Sequence, residues 1–177
     1  MAWVTEWGQG IVGFVRQHEV WALPICFALA FGESLAFISF LLPATVVLIA
    51  VGGLIGQAGL AFAPIFVAAA VGAALGDWLS FWFGRRFENR IGGIWPLSRH
   101  PGLLIRARSV IDRWGALGVF AGRFLGPLRA TVPLIAGLVA MPVLPFQAAN
   151  WSSAFLWAFL VLGPGAFGID AIKDWFA

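Results

Sequence analysis

Apolar residues run from position 20 to position 83 with only Glu33 and Asp77 as ionisable interruptions, and again from 118 to 169 with only Arg123 and Arg129. Residues 34–76 and 130–169 contain no Asp, Glu, Lys, Arg or His at all. A membrane-spanning helix needs about 20 consecutive apolar residues, so each charge-free run has room for roughly two passes. The segments of about 10 residues with alternating polarity that mark a β-barrel are not visible. The pattern predicts an all-α polytopic membrane protein.

Residues 60–83 form one clear span that ends at Gly84-Arg85-Arg86, and Asp77 falls two turns before that basic end. Residues 145–169 form the last span, with Asp170, Lys173 and Asp174 marking its exit. Residues 1–19 are mixed in character and fit a short interfacial helix. Residues 85–102 are rich in Gly, Pro and Arg and read as a loop. Over 103–117, Leu103, Ala107, Val110, Ile111, Trp114 and Leu117 share one helical face while Arg106, Ser109 and Arg113 fall on another. That is an amphipathic helix, lying either on the membrane surface or on its own protein. The whole, 1–177, is expected to be one membrane domain: a first repeat over about 20–83, a basic segment over 85–117 and a second repeat over about 118–169.

The repeat rests on two short stretches. Residues 44–50 read ATVVLIA and residues 130–136 read ATVPLIA, six matches in seven at an offset of 86, with Leu42 also matching Leu128. Each copy follows a proline, Pro43 or Pro127. Paired, broken apolar segments in two halves are a pointer to a transporter site. Backbone groups freed by such breaks cannot be satisfied by lipid and must be shielded by protein or line a wet cavity. This favours two re-entrant helical hairpins in an inverted repeat over simple kinked spans.

Composition sharpens the class. The chain is 61% hydrophobic and 11% charged, against about 25% charged in ordinary soluble domains. Seven of its eleven basic residues lie between 85 and 113, opposed only by Glu88 and Asp112. By the positive-inside rule, residues 85–117 are cytoplasmic. The same asymmetry accounts for a pI near 10.5 without nucleic acid as a partner. The first ten residues lack a basic n-region and carry Glu6 early, so no signal peptide is expected and a bacterial inner membrane fits. The lone Cys26 can form no internal disulfide. The glycine pairs Gly52/Gly56, Gly72/Gly76 and Gly118/Gly122 have spacing that suits close internal packing or contact within a homo-oligomer.

The candidate chemistry sits in GRFLGPLR, residues 122–129. An arginine near mid-bilayer costs about 2.5–3.5 kcal/mol on insertion scales unless it is paired or hydrated. Three readings compete for Arg123 and Arg129: snorkelling to an interface, pairing with Glu33 or Asp77, and recognition of an anionic substrate. Six positions along an unbroken helix separate side chains by about 120°, so the Gly126-Pro127 break is what would let the two arginines converge. The guanidinium fork matches phosphate and keeps its charge when buried. Asp77 can equally be read as a helix-end partner of Arg85 or Arg86.

Three linked motifs resemble the DedA family, also called the SNARE-associated or VTT-domain family: FGESLAFISFLLPAT at 31–45, GDWLSFWFGRRF at 76–87 and GRFLGPLRATVPLIAGLVAMP at 122–142. The resemblance implies facing re-entrant hairpins and translocation of a lipid carrier such as undecaprenyl phosphate, or of a phospholipid. It also implies a link to the proton motive force and to envelope homeostasis. The family's important residues correspond to Glu33, Arg123 and Arg129. Pro43-Ala44-Thr45 stands where the family usually has Pro-Gly followed by an acid, so the second carboxylate of a two-acid relay is missing, and Phe81 replaces the usual tyrosine.

The expected function is therefore transport of an anionic lipid, with Arg123, Arg129 and Glu33 as substrate-binding residues. Glu33 and Asp77 are the candidates for proton coupling. The alternative is a small-ion or proton antiporter that maintains membrane potential. An enzyme is not expected: His18 and His100 lie outside the apolar runs, no HxxxH or HExxH occurs, and Cys26 has no neighbouring base. No cofactor or metal is expected.

Overall fold

The computed structural model describes residues 19–35, 44–86, 101–125, 129 and 131–168. The mixed segment 1–18, the first turn through Pro43, the basic loop 87–100, the Gly126-Pro127 break and the exit residues Asp170, Lys173 and Asp174 lie outside the described residues. The described residues form seven helices and no strand: α1 (Glu19–Ser34), α2 (Ala44–Ala58), α3 (Phe62–Arg86), α4 (Pro101–Trp114), α5 (Ala116–Gly122), α6 (Thr131–Leu138) and α7 (Val143–Phe167). The expected all-α class holds.

The central element is α3. Its 25 residues rise about 37 Å, enough for a hydrocarbon core of about 30 Å. Among the described residues it is the one helix both long and apolar enough to cross a membrane. Helix α7 also has 25 residues but carries Gln147, Asn150, Ser152 and Ser153 in its first half and Pro164 near its end. The other apolar helices are short. With 15, 7 and 8 residues, α2, α5 and α6 reach about 22, 10 and 12 Å, each less than the bilayer core.

Small residues let the helices approach along their backbones, which is how apolar helices associate when no hydrophobic force separates them from lipid. At Gly72 and Gly76 of α3 an added Cβ would stand 2.4 Å from the Phe27 carbonyl oxygen and 2.6 Å from that of Phe31, both on α1. Further along α3, Gly84 and its counterpart Gly137 on α6 are closer still: a Cβ on either would meet a carbonyl oxygen of the other helix at 2.0 Å. Gly52 and Gly56 of α2 pack in the same way on α7. The glycine pairs of the sequence are thus occupied by internal packing.

Two apolar clusters divide the interior. The first gathers Cys26 and Ala30 of α1, Leu48 and Ile55 of α2, Ala69 to Ala74 of α3, and Ala154 to Leu162 of α7. The second gathers Phe81 of α3, Val119 of α5, Val132 and Ile135 of α6, and Phe146 and Ala149 of α7. Phe81 and Phe146 stack with centroids 4.1 Å apart, which binds α3 to α7 in this second cluster. Asp77 on α3 and Asn150 on α7 each fall, along their own helix, between the two clusters.

The repeated heptads both open a short helix. Leu48 and its counterpart Leu134 are fully buried. Their settings differ otherwise: α2 exposes Val47 and Ile49, while α6 is buried from Thr131 through Gly137. The amphipathic helix expected over 103–117 is interrupted. It stops at Trp114, because Gly115 takes a positive φ of 53°, a conformation that glycine adopts at little cost. Val110 and Ile111 turn inward while Ile105, Trp114 and Leu117 are exposed. Val110 and Ile111 are therefore set apart from Trp114 and Leu117, which were expected on the same face.

Candidate functional site

The last turn of α1 buries three consecutive residues, Gly32, Glu33 and Ser34. Burying a carboxylate here is costly unless cations and donors meet it, and two segments supply them. Thr45, the second residue of α2, donates its hydroxyl to Glu33 Oε1. Arg129, two residues before α6, donates Nη1 to the same oxygen at 2.8 Å and lies 3.4 Å from the Thr45 hydroxyl. The Arg129 guanidinium also sits over the indole of Trp157 on α7, 4.4 Å from its centroid. A cation on an aromatic face gains about 0.5–2 kcal/mol.

A second ion pair lies one layer along. Arg123 follows α5 directly and is buried, and its Nη2 pairs with Asp77 Oδ2 on α3. The same nitrogen donates to Asn150 Oδ1 at 2.7 Å. Asn150 in turn donates Nδ2 to the carbonyl of Ala74 at 2.9 Å and to Gln147 Oε1 at 3.3 Å, so its amide ties α3, α7 and Arg123 together. Ser80 donates to the Ser34 carbonyl at 3.3 Å and caps an open carbonyl at the end of α1.

Both arginines remain only partly satisfied. Among the described residues, Arg123 Nε and Nη1 and Arg129 Nη2 are buried donors with no partner, and Glu33 Oε2 is a buried acceptor with none. Each ion pair uses one nitrogen and one oxygen, not the bidentate fork that Arg and carboxylate can form. The arrangement presents three guanidinium nitrogens, which carry five N–H bonds, and one carboxylate oxygen in the protein interior. Donors of this kind match a group bearing several acceptor oxygens. No group of three or more His, Cys, Asp or Glu side chains able to hold a metal occurs among the described residues.

All four ionisable residues singled out in the apolar sequence are thus buried in ion pairs, but one expectation needs correction. Asp77 is not a helix-end partner of Arg85 or Arg86. Those two are exposed at the end of α3, while Asp77 points inward to Arg123. Each arginine has its own carboxylate, as the pairing reading expected. Sequence reasoning missed Asn150 and Trp157. A buried amide within a charge-free run was the available signal for Asn150; nothing distinguishes Trp157 from the other tryptophans except its position. An apolar pocket of about 260 Å³ lined by Val20, Leu23, Leu60, Ala61, Pro64 and Ile65 lies about 15–20 Å away by helix rise and has no part in this chemistry.

A helical membrane protein with a buried two-pair charge cluster is the class defined so far. The VTT domain profile matches residues 42–167. The inner membrane protein YabI of Escherichia coli (strain K12) is 34% identical over 159 residues, covering 90% of this chain and 63% of that protein. Inner membrane protein YghB of the same strain is 34% identical over 173 residues, covering 89% of this chain and 77% of that protein. An uncharacterized membrane protein of Buchnera aphidicola subsp. Acyrthosiphon pisum is 31% identical over 163 residues, covering 92% and 64%. The chain spans less than two thirds of the length of YabI and of that Buchnera relative. No solved structure matches it. The chain belongs to the VTT-domain, or DedA, family and is an inner membrane protein.

Proposed function

We propose that the protein moves an anionic lipid headgroup across the membrane, with undecaprenyl phosphate or a phospholipid as substrate, for envelope homeostasis. In this reading α1–α2 and α5–α6 belong to two re-entrant hairpins related by an inverted repeat. Their support is length, since α2, α5 and α6 fall short of the bilayer core, together with the repeated heptads that open α2 and α6. The observation that carries the function is the set of unpartnered donors on Arg123 and Arg129. Buried N–H groups without acceptors are rare and costly, and phosphate oxygens are the acceptors that guanidinium matches best. Glu33 and Asp77 hold the arginines in place and are the groups through which a proton gradient would act.

Reconstitution of the full chain with a fluorescent polyprenyl phosphate, with and without a pH gradient, tests this. Movement of the lipid between leaflets above the protein-free rate is expected, and its absence refutes transport. Proton flux with no lipid movement supports the antiporter instead.

A further inference from the structure

We propose that the elbow between α4 and α5 binds a bilayer phospholipid with an anionic headgroup, its phosphate on Arg113 and one acyl chain along Leu117 and Phe124. The inference does not rest on the transport reading: this lipid is held at the protein surface, apart from the buried ion pairs.

The exposed side chains change character at Gly115. Over its last two turns α4 exposes Arg108, Ser109, Asp112 and Arg113. After the glycine, the exposed residues through position 125 are all apolar: Leu117, Ala121, Phe124 and Leu125. Trp114 stands at the change and is 57% exposed. In a membrane protein such a switch marks the border between headgroups and acyl chains, the level at which tryptophan is enriched. The elbow holds its two parts in fixed relation. Gly115 turns the chain with φ 53° and ψ −125°, and Gly118 sits so close to α4 that an added Cβ would stand 2.7 Å from the Val110 carbonyl oxygen. Leu117, Ala121 and Phe124 follow helical spacing on one face and run about 10 Å, against about 15 Å of hydrocarbon in one leaflet.

Charge selects the headgroup. Arg108 and Asp112 pair with each other at 3.8 Å on the exposed side of α4. Arg113 forms no ion pair among the described residues. Its guanidinium lies over the Trp114 ring, 5.8 Å from the centroid, a contact made through the π face that leaves the N–H groups to meet a phosphate. One uncompensated cation therefore stands beside an exposed indole, at the head of an apolar stripe. A zwitterionic headgroup brings a cation of its own to the arginine; an anionic one does not. An acidic protein partner would meet Arg113 but leave the stripe that continues from it uncovered. A lipid whose phosphate carries the only headgroup charge covers both.

The test uses the full chain in phosphatidylcholine liposomes, with the buried Cys26 replaced by alanine and a nitrobenzoxadiazole probe on Ala121→Cys, between Leu117 and Phe124. Phosphatidylglycerol or phosphatidylcholine carrying a nitroxide on its tail is titrated in, and the mole fraction that quenches half of the emission is read for each. One arginine at an anionic lipid surface predicts half-quenching at about a fivefold lower fraction of the phosphatidylglycerol. The same probe on Leu160→Cys, an exposed site on α7 with no charged residue in its helix, should show no difference. Arg113→Gln should abolish the difference at position 121, and 1 M salt, with a Debye length of about 3 Å, should shrink it. Equal fractions at position 121 overturn the site. So does an equal preference at position 160, or a preference at 121 that survives Arg113→Gln or 1 M salt unchanged, because the enrichment then does not come from this arginine. No lipid has to cross between leaflets in this assay, so its outcome is separate from that of the transport reading.

Discussion

Asp77→Asn removes one charge from the Arg123 pair and leaves a buried cation. The Arg123 side chain is 3% exposed and that of Asp77 7%, so water can replace little of the lost carboxylate. Breaking a buried pair in this way costs about 3–5 kcal/mol. Asn150 Oδ1 still accepts from Nη2, which places the expected loss near the lower end, about 3 kcal/mol, or roughly a hundredfold in the folding equilibrium. Removing both charges together behaves differently. Asp77→Asn with Arg123→Gln leaves two amides and no ion, and should return to within about 1 kcal/mol of the parent. Asp77→Asn with Arg129→Gln orphans both Arg123 and Glu33, and should cost more than the single loss. Unfolding in mixed detergent micelles, followed by tryptophan fluorescence, measures all four proteins. If the crossed double variant is as stable as the matched one, the assignment of Asp77 to Arg123 and Glu33 to Arg129 is wrong.

Other consequences concern packing, the aromatic contact and topology. Gly137→Ala should destabilise by about 1–3 kcal/mol or more, because its Cβ meets the Phe81 carbonyl oxygen at 2.0 Å, whereas Gly53→Ala, with nothing within 4 Å, should stabilise α2 by about 0.5–1 kcal/mol; thermal melts in detergent that rank the two the other way contradict the helix contacts. Trp157→Leu should weaken the hold on Arg129 by about 0.5–2 kcal/mol and Trp157→Phe by less, so lipid affinity should fall in that order; identical affinities would remove the cation–π contact from the site. Cysteines placed at Ile105 and Arg108, both exposed, should react with a membrane-impermeant maleimide only after the inner membrane is opened, with buried Cys26 giving little background; labelling in intact spheroplasts would reverse the orientation.

Much of this protein is written locally. The charge-free runs require membrane helices because lipid offers backbone and charge no partner, and the ends of α3 fall two and three residues from those of the span read from the sequence. The same exclusion makes Glu33, Asp77, Arg123 and Arg129 visible before any coordinates, since four ions in otherwise apolar segments need a reason to be there. Partner choice is another matter. Arg129 reaches across 96 positions to Glu33 and Arg123 across 46 to Asp77, and no periodicity or spacing encodes which acid meets which arginine. That is decided by how glycine-lined helices approach: α1 against one half of α3 and α6 against the other. The close approaches bring Glu33 and Asp77 to different arginines. They also set Asn150 and Trp157 of α7 beside those arginines, although neither residue carries a charge to announce it. Hydrophobic pattern decides which segments leave water; the contacts between helices decide which buried ions neutralise one another, and which of their atoms are left to bind something else.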